Sequence, residues 1–106
     1  MRMQSLAHEW QQLIRWMQEI NYGRIEKLCF ADGTPCFDPA PRVVREFKVG
    51  GENDPRPEAL LEDFDLKREI VEFHNDMTRR GNVVIESLEI KHGVPFRWCV
   101  EVDLAT

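Results

Sequence analysis

Apolar positions along this chain switch twice from a helical to a strand period. Leu6, Trp10, Leu13, Met17 and Ile20 recur at helical spacing with Ile14 beside them. Glu9, Gln11, Gln12, Arg15, Gln18 and Glu19 fill the other faces, which predicts an amphipathic helix of about four turns. Ser5 can cap its start by accepting from a free first-turn amide, and Gly23 follows its end. Trp16 falls about 90° from the stripe centre and is expected to flank the core. A second stripe, Leu66, Ile70, Phe73 and Met77, predicts a second helix. Asp63 or Asp65 can cap it, and Gly81 stops it after Arg79 and Arg80, whose charges suit a helix C-terminus.

Each helix is followed by a hairpin signal. Residues 24–37 read RIEKLCFADGTPCF and residues 84–97 read VIESLEIKHGVPFR. Asp32-Gly33 and His92-Gly93 mark the turns. In the second return strand Val94, Phe96, Trp98, Val100 and Val102 alternate with Pro95, Arg97, Cys99 and Glu101, the mark of a half-buried strand. A two-residue loop would set that apolar row against Lys91, Glu89 and Ser87. A three-residue loop sets it against Ile90, Leu88, Glu86 and Val84, so avoiding buried charge favours three residues. Carried over to the first hairpin, that register pairs Leu28 with Cys36, turns Cys29 to the opposite face and excludes a Cys29–Cys36 disulfide.

The two hairpins superpose at an offset of 60 residues, sharing Ile25/Ile85, Glu26/Glu86, Leu28/Leu88, Gly33/Gly93 and Pro35/Pro95. The helical stripes superpose at the same offset, with Leu6/Leu66 and Met17/Met77 identical. The chain therefore reads as one domain over 1–106 containing two αββ repeats, 5–37 and 64–102. Between them lies an insert, 38–63. It holds the proline-rich break Asp38-Pro39-Ala40-Pro41, an extra strand over 43–49, a polar loop over 50–57 and a short helical turn over 58–62. The fold class expected is α+β, with two helices on one face of a mainly antiparallel sheet of four or five strands. A lone αββ unit buries its apolar face poorly, which is a physical reason for two to share one core.

Asn21-Tyr22-Gly23-Arg24-Ile25-Glu26, placed after an amphipathic helix and leading to Asp32-Gly33, resembles the YezD-like small bacterial proteins. Those are short chains of helix, Tyr-Gly, strand, Asp-Gly turn and strand. The resemblance covers the first third of this chain. The departures are Cys36-Phe37-Asp38-Pro39 after the turn and Gly81-Asn82-Val83 in place of Tyr-Gly in the second unit. It implies a small bacterial cytoplasmic protein, and no activity. A single-unit relative would be expected to dimerise, and this chain looks like such a dimer fused into one polypeptide.

Composition narrows the function classes. With 42% hydrophobic and 31% charged residues the chain is globular rather than disordered. No apolar run reaches the length of about 18 residues that a membrane span needs, and the N-terminus MRMQSLAHEW lacks the features of a signal peptide. Three cysteines at positions 29, 36 and 99 match no zinc or redox spacing and read as free thiols in a reducing cytoplasm. A net charge of −5 argues against nucleic acid as a partner.

Candidate chemistry is sparse, and no cofactor or metal is expected. Glu26 and Glu86 have the parity of the helix-covered face under strict alternation, where burial would raise a carboxyl pKa. His74 takes the place of Ile14 in the repeat. With Glu52, Asn53 and Arg56 of the polar loop, these residues form the candidate polar site for a ligand binder or enzyme. The same alternation sends Ile25, Phe37, Val83 and Ile85 to the outer face as an apolar patch. That patch, with no catalytic constellation evident, favours a non-catalytic interaction or regulatory module whose partner is another protein or a second copy of itself.

Overall fold

The computed structural model describes residues 1–51 and 65–102. A 3₁₀ turn over Met3–Ser5 leads into helix α1 (His8–Ile20), strand β1 (Gly23–Ala31), β2 (Thr34–Cys36) and β3 (Arg42–Arg45). Helix α2 (Arg68–Arg80), β4 (Val83–Lys91) and β5 (Val94–Cys99) follow. Among the described residues the fold is α+β, with two α-helices and a five-stranded antiparallel sheet in the order β2-β1-β4-β5. β3 pairs with the same edge of β1 as β2 does, further along the strand. The extra strand predicted over 43–49 is thus shorter and starts earlier. The predicted turn over 58–62 lies outside the described residues.

Both helices begin later than their apolar stripes. Ala7 and Lys67 occupy the N-cap positions, and neither donates or accepts a side-chain capping bond. Ser5 is no cap; its hydroxyl donates to the carbonyl of Arg2 at 2.6 Å. Asp65 is no cap either, because it pairs with Arg2 at 3.2 Å. Leu6 and Leu66 therefore pack against the core from outside the helices. The ends fit expectation better: Asn21 and Gly81 take positive φ, and their amides donate back to Met17 and Met77.

One core lies between the helices and the sheet. Trp10, Leu13, Ile14, Met17, Ile70, Phe73 and Met77 meet strand residues Ile25, Leu28, Phe30, Ile85, Leu88 and Ile90. Trp10 stands at one end, its ring against Phe30, Phe73 and His74, while its Nε1 donates to the Gly33 carbonyl at 2.8 Å. Trp16 flanks the core as expected and packs on Phe37.

The hairpin register overturns the three-residue loop. Ala31 pairs with Thr34 and Lys91 with Val94, leaving two-residue loops. Asp32, Gly33, His92 and Gly93 all have positive φ, the type I′ pattern whose twist matches that of the strands. The expected clash of charge with apolar side chains is avoided by a bulge. Ile90 pairs with Pro95, but Glu89 then pairs with Arg97, so Phe96 is the extra residue and Leu88 comes opposite Trp98. In the first hairpin, Cys29 is directly opposite Cys36.

The outer-face patch is overturned too. Ile25 and Ile85 are both 0% exposed, in the core. β1 buries Ile25, Leu28 and Phe30, and β4 buries Ile85, Leu88 and Ile90, so each strand contains a step of three. The ladder between them skips Lys27 and Glu86, and Lys27 has φ +57°. This paired kink changes the parity of both strands together. Strict alternation would have placed Glu26 and Glu86 inside. Val83 and Phe37 are partly buried against the core rather than displayed.

Candidate interaction surface

The face of the sheet away from the helices is built from the residues that the kink turns outward. Glu26 on β1 is opposite Ser87 on β4, which is opposite Cys99 on β5. Arg24, Glu89 and Arg97 form the next row by the same pairing. Ion pairs lace this face. Arg24 Nε donates to Glu26 at 2.9 Å, Arg42 approaches Glu26 at 3.4 Å, and Glu46 lies 3.7 Å from Arg24. Lys27 Nζ binds Glu86 at 2.6 Å across the kink, and Arg97 Nε binds Glu89 at 2.7 Å.

The hydrogen bond from Arg24 holds the Glu26 carboxyl below its ordinary range, helped by the nearby charge of Arg42. Glu86 raises the pKa of Lys27 in turn. The direction at Glu26 is opposite to the one expected for a buried carboxylate. A Glu held ionised in this way suits an electrostatic contact better than proton transfer near neutral pH.

Apolar side chains are set into the charged face. Val84 is 48% exposed beside Cys29, its partner across the β1–β4 ladder. Phe96, turned out by the bulge, is 51% exposed between the Lys91 ammonium at 4.1 Å and the Arg97 guanidinium at 5.0 Å. Strict alternation misses Val84 because its neighbour Ile85 takes the outer position in that register. The signal that recovers it is the repeated spacing of Ile25 to Leu28 and Ile85 to Leu88, three residues where a regular strand allows two or four.

Among the described residues of the candidate polar site, the two glutamates and His74 lie in different layers. Glu26 and Glu86 lie on the open face, whereas His74 lies in the helix layer with its ring 4.7 Å from that of Trp10. Its Nδ1 is buried without a hydrogen-bond partner. Glu52, Asn53 and Arg56 lie outside the described residues. A contact not foreseen from sequence joins Tyr22 to His92, with the phenol oxygen 2.7 Å from Nδ1, and ties the Tyr-Gly segment to the second hairpin turn.

A cleft of about 270 Å³ beside β3 is lined by Trp16, Glu19, Ile20, Val43 and Arg45. Among the described residues, Glu26, His74 and Glu86 do not line it. Among the described residues, no three metal-ligating side chains converge, and no helix is long and apolar enough to cross a membrane. Comparison with protein-family models, curated proteins and solved structures finds no match for this chain.

Proposed function

We propose that this protein is a non-catalytic interaction module that docks a protein partner, or a second copy of itself, on the open face of its sheet. The observation that carries this reading is the outer face itself. It has a lattice of oriented ion pairs around Glu26, Lys27 and Glu86, with Val84 exposed beside Cys29 and Phe96 exposed between Lys91 and Arg97. Fixed charges of both signs select a complementary surface and set its register, and exposed apolar groups between them supply area to bury. The separation of His74 from both glutamates weighs against the alternative of a small enzyme built on those residues.

The same reading takes the chain as two fused αββ units, as the YezD-like resemblance implies. Helix α1 and strand β1 precede α2 and β4 by 60 residues at both boundaries. The Gly33 amide donates to the Gly81 carbonyl at 2.7 Å, and the Gly93 amide donates to Asn21, the residue equivalent to Gly81, at 3.0 Å. Both pairs join a hairpin tip of one unit to the helix end of the other. The three free thiols fit a reducing cytoplasm.

Co-purification with Val84→Asp tests the docking face. The wild-type protein should retain a partner, or sediment as a dimer, and the variant should lose it while keeping the same circular dichroism. The same assembly for both proteins would contradict the reading.

A further inference from the structure

The two-residue turn brings Cys29 of β1 directly opposite Cys36 of the edge strand β2. Residues facing each other across a ladder share a face, and the neighbours Leu28 and Phe30 point into the core, so both thiols lie on the open side. Both are free and half-buried.

Opposed residues of an antiparallel pair have Cα atoms about 4.5–5.5 Å apart, inside the span of about 4.4–6.8 Å that a disulfide bridges. Counting from the closing pair Ala31–Thr34, Cys29 and Cys36 occupy the wider, hydrogen-bonded kind of pair. Closure therefore needs the Cβ atoms to approach by about 1 Å. β2 can supply that movement. It is three residues long, it ends at Cys36, and the chain then leaves the ladder through Asp38 and Pro39. The Cys36 sulfur contacts the Thr34 carbonyl at 3.9 Å, a weak contact that is easily given up. Cys99 cannot compete for Cys29. It lies on β5, two strands from β1 and so about 9–10 Å away across the sheet.

We propose that Cys29 and Cys36 form a reversible intramolecular disulfide by exchange with a low-molecular-weight disulfide such as oxidised glutathione. One cysteine loses its proton to solvent, and its thiolate attacks the glutathione disulfide. A protein–glutathione bond forms and one glutathione thiolate leaves. The second cysteine, also deprotonated, attacks the protein sulfur of that bond and expels the second glutathione thiolate. Two electrons pass from the protein thiols to oxidised glutathione, giving two molecules of reduced glutathione. The wide pair leaves the bridge under strain, and strained disulfides are the readily reduced ones, so the bond acts as a switch that clamps the β2 edge. This inference does not depend on what docks on the open face.

The test is to incubate the dilute full-length chain with excess oxidised glutathione, quench with a maleimide, and identify the products by intact mass and peptide mapping. Cys29 should become linked to Cys36 with no glutathione on either, whatever adduct the exposed Cys99 takes, and dithiothreitol should restore full reactivity. Cys99→Ser should close as the wild type does. Cys36→Ser, with its fold checked by circular dichroism, should instead hold glutathione on Cys29. Stable glutathione adducts on both Cys29 and Cys36 of the wild type would overturn the proposal. So would a bridge that includes Cys99, or thiols that all stay reactive.

Discussion

Lys27 decides which side chains face the helices and which face out. Its left-handed backbone, φ +57°, costs a non-glycine residue about 1–2 kcal/mol. Strict alternation would leave Ile25 outside and Glu26 inside. That would lose about 1.5–3 kcal/mol of apolar burial and add several kcal/mol for an unpaired buried carboxylate. The kink is the cheaper solution. Ile85→Ala should then destabilise the protein by about 2–5 kcal/mol in urea unfolding, while Val84→Asp next to it changes stability by about 0.5 kcal/mol or less. Equal effects would contradict the parity described. The ion pairs at the kink also set a pH dependence. Glu26 has a folded-state pKa below its ordinary 4.5, so its contribution is complete above that value and disappears as pH falls through the lowered one. Lys27 is raised above 10.5, so its contribution is complete below that value and is lost as pH rises through the raised one. Glu26→Gln should be less stable than wild type at neutral pH, and the gap should close on acidification. A gap that persists into acid would show that the carboxylate charge is not what Arg24 and Arg42 hold.

Among the elements, the first hairpin turn packs closely against helix α2. Gly33 has φ +76°, and a Cβ there would lie 2.8 Å from the Cα of Thr78 on α2. Gly81 has φ +75° with open space around it. Gly33→Ala should therefore cost clearly more than the roughly 1 kcal/mol expected of Gly81→Ala, as read from thermal unfolding of the two variants. The helices, the hairpin turns and the extra strand were legible in the sequence, because their signals are local: helical stripes, Asp-Gly, and a short β-rich run. The turn length and the strand parity were not, because each depends on an irregularity elsewhere. The bulge at Phe96 makes a two-residue loop compatible with Leu88 facing Trp98. The kink at Lys27 and Glu86 lets Ile25 and Leu28 face the same way. Alternation assumes neither. The same alternation places Glu26 and Glu86 inside and Ile25 and Ile85 outside, the reverse of their positions in the fold.

At the scale of the molecule, the two halves meet through the β1–β4 ladder and a shared core. The segment 1–3 also reaches the second half, where the Leu66 amide donates to the Met1 carbonyl at 2.9 Å. Protease cleavage at a site engineered between residues 51 and 65 should leave the halves associated through gel filtration, with the circular dichroism spectrum unchanged. Separation of the halves would show that the connection, rather than the shared core, holds them together. The helices close the core on one face of the sheet, and the proposed docking surface is the other face. Carbodiimide footprinting of the carboxylates, with the protein free and then bound to its captured partner or in its self-associated form, tests that assignment most directly. Glu26, Glu86 and Glu89 should become protected on assembly while Glu9, Glu69 and Glu72 on the helices stay labelled. Protection of the helix carboxylates with the sheet carboxylates unchanged would contradict it.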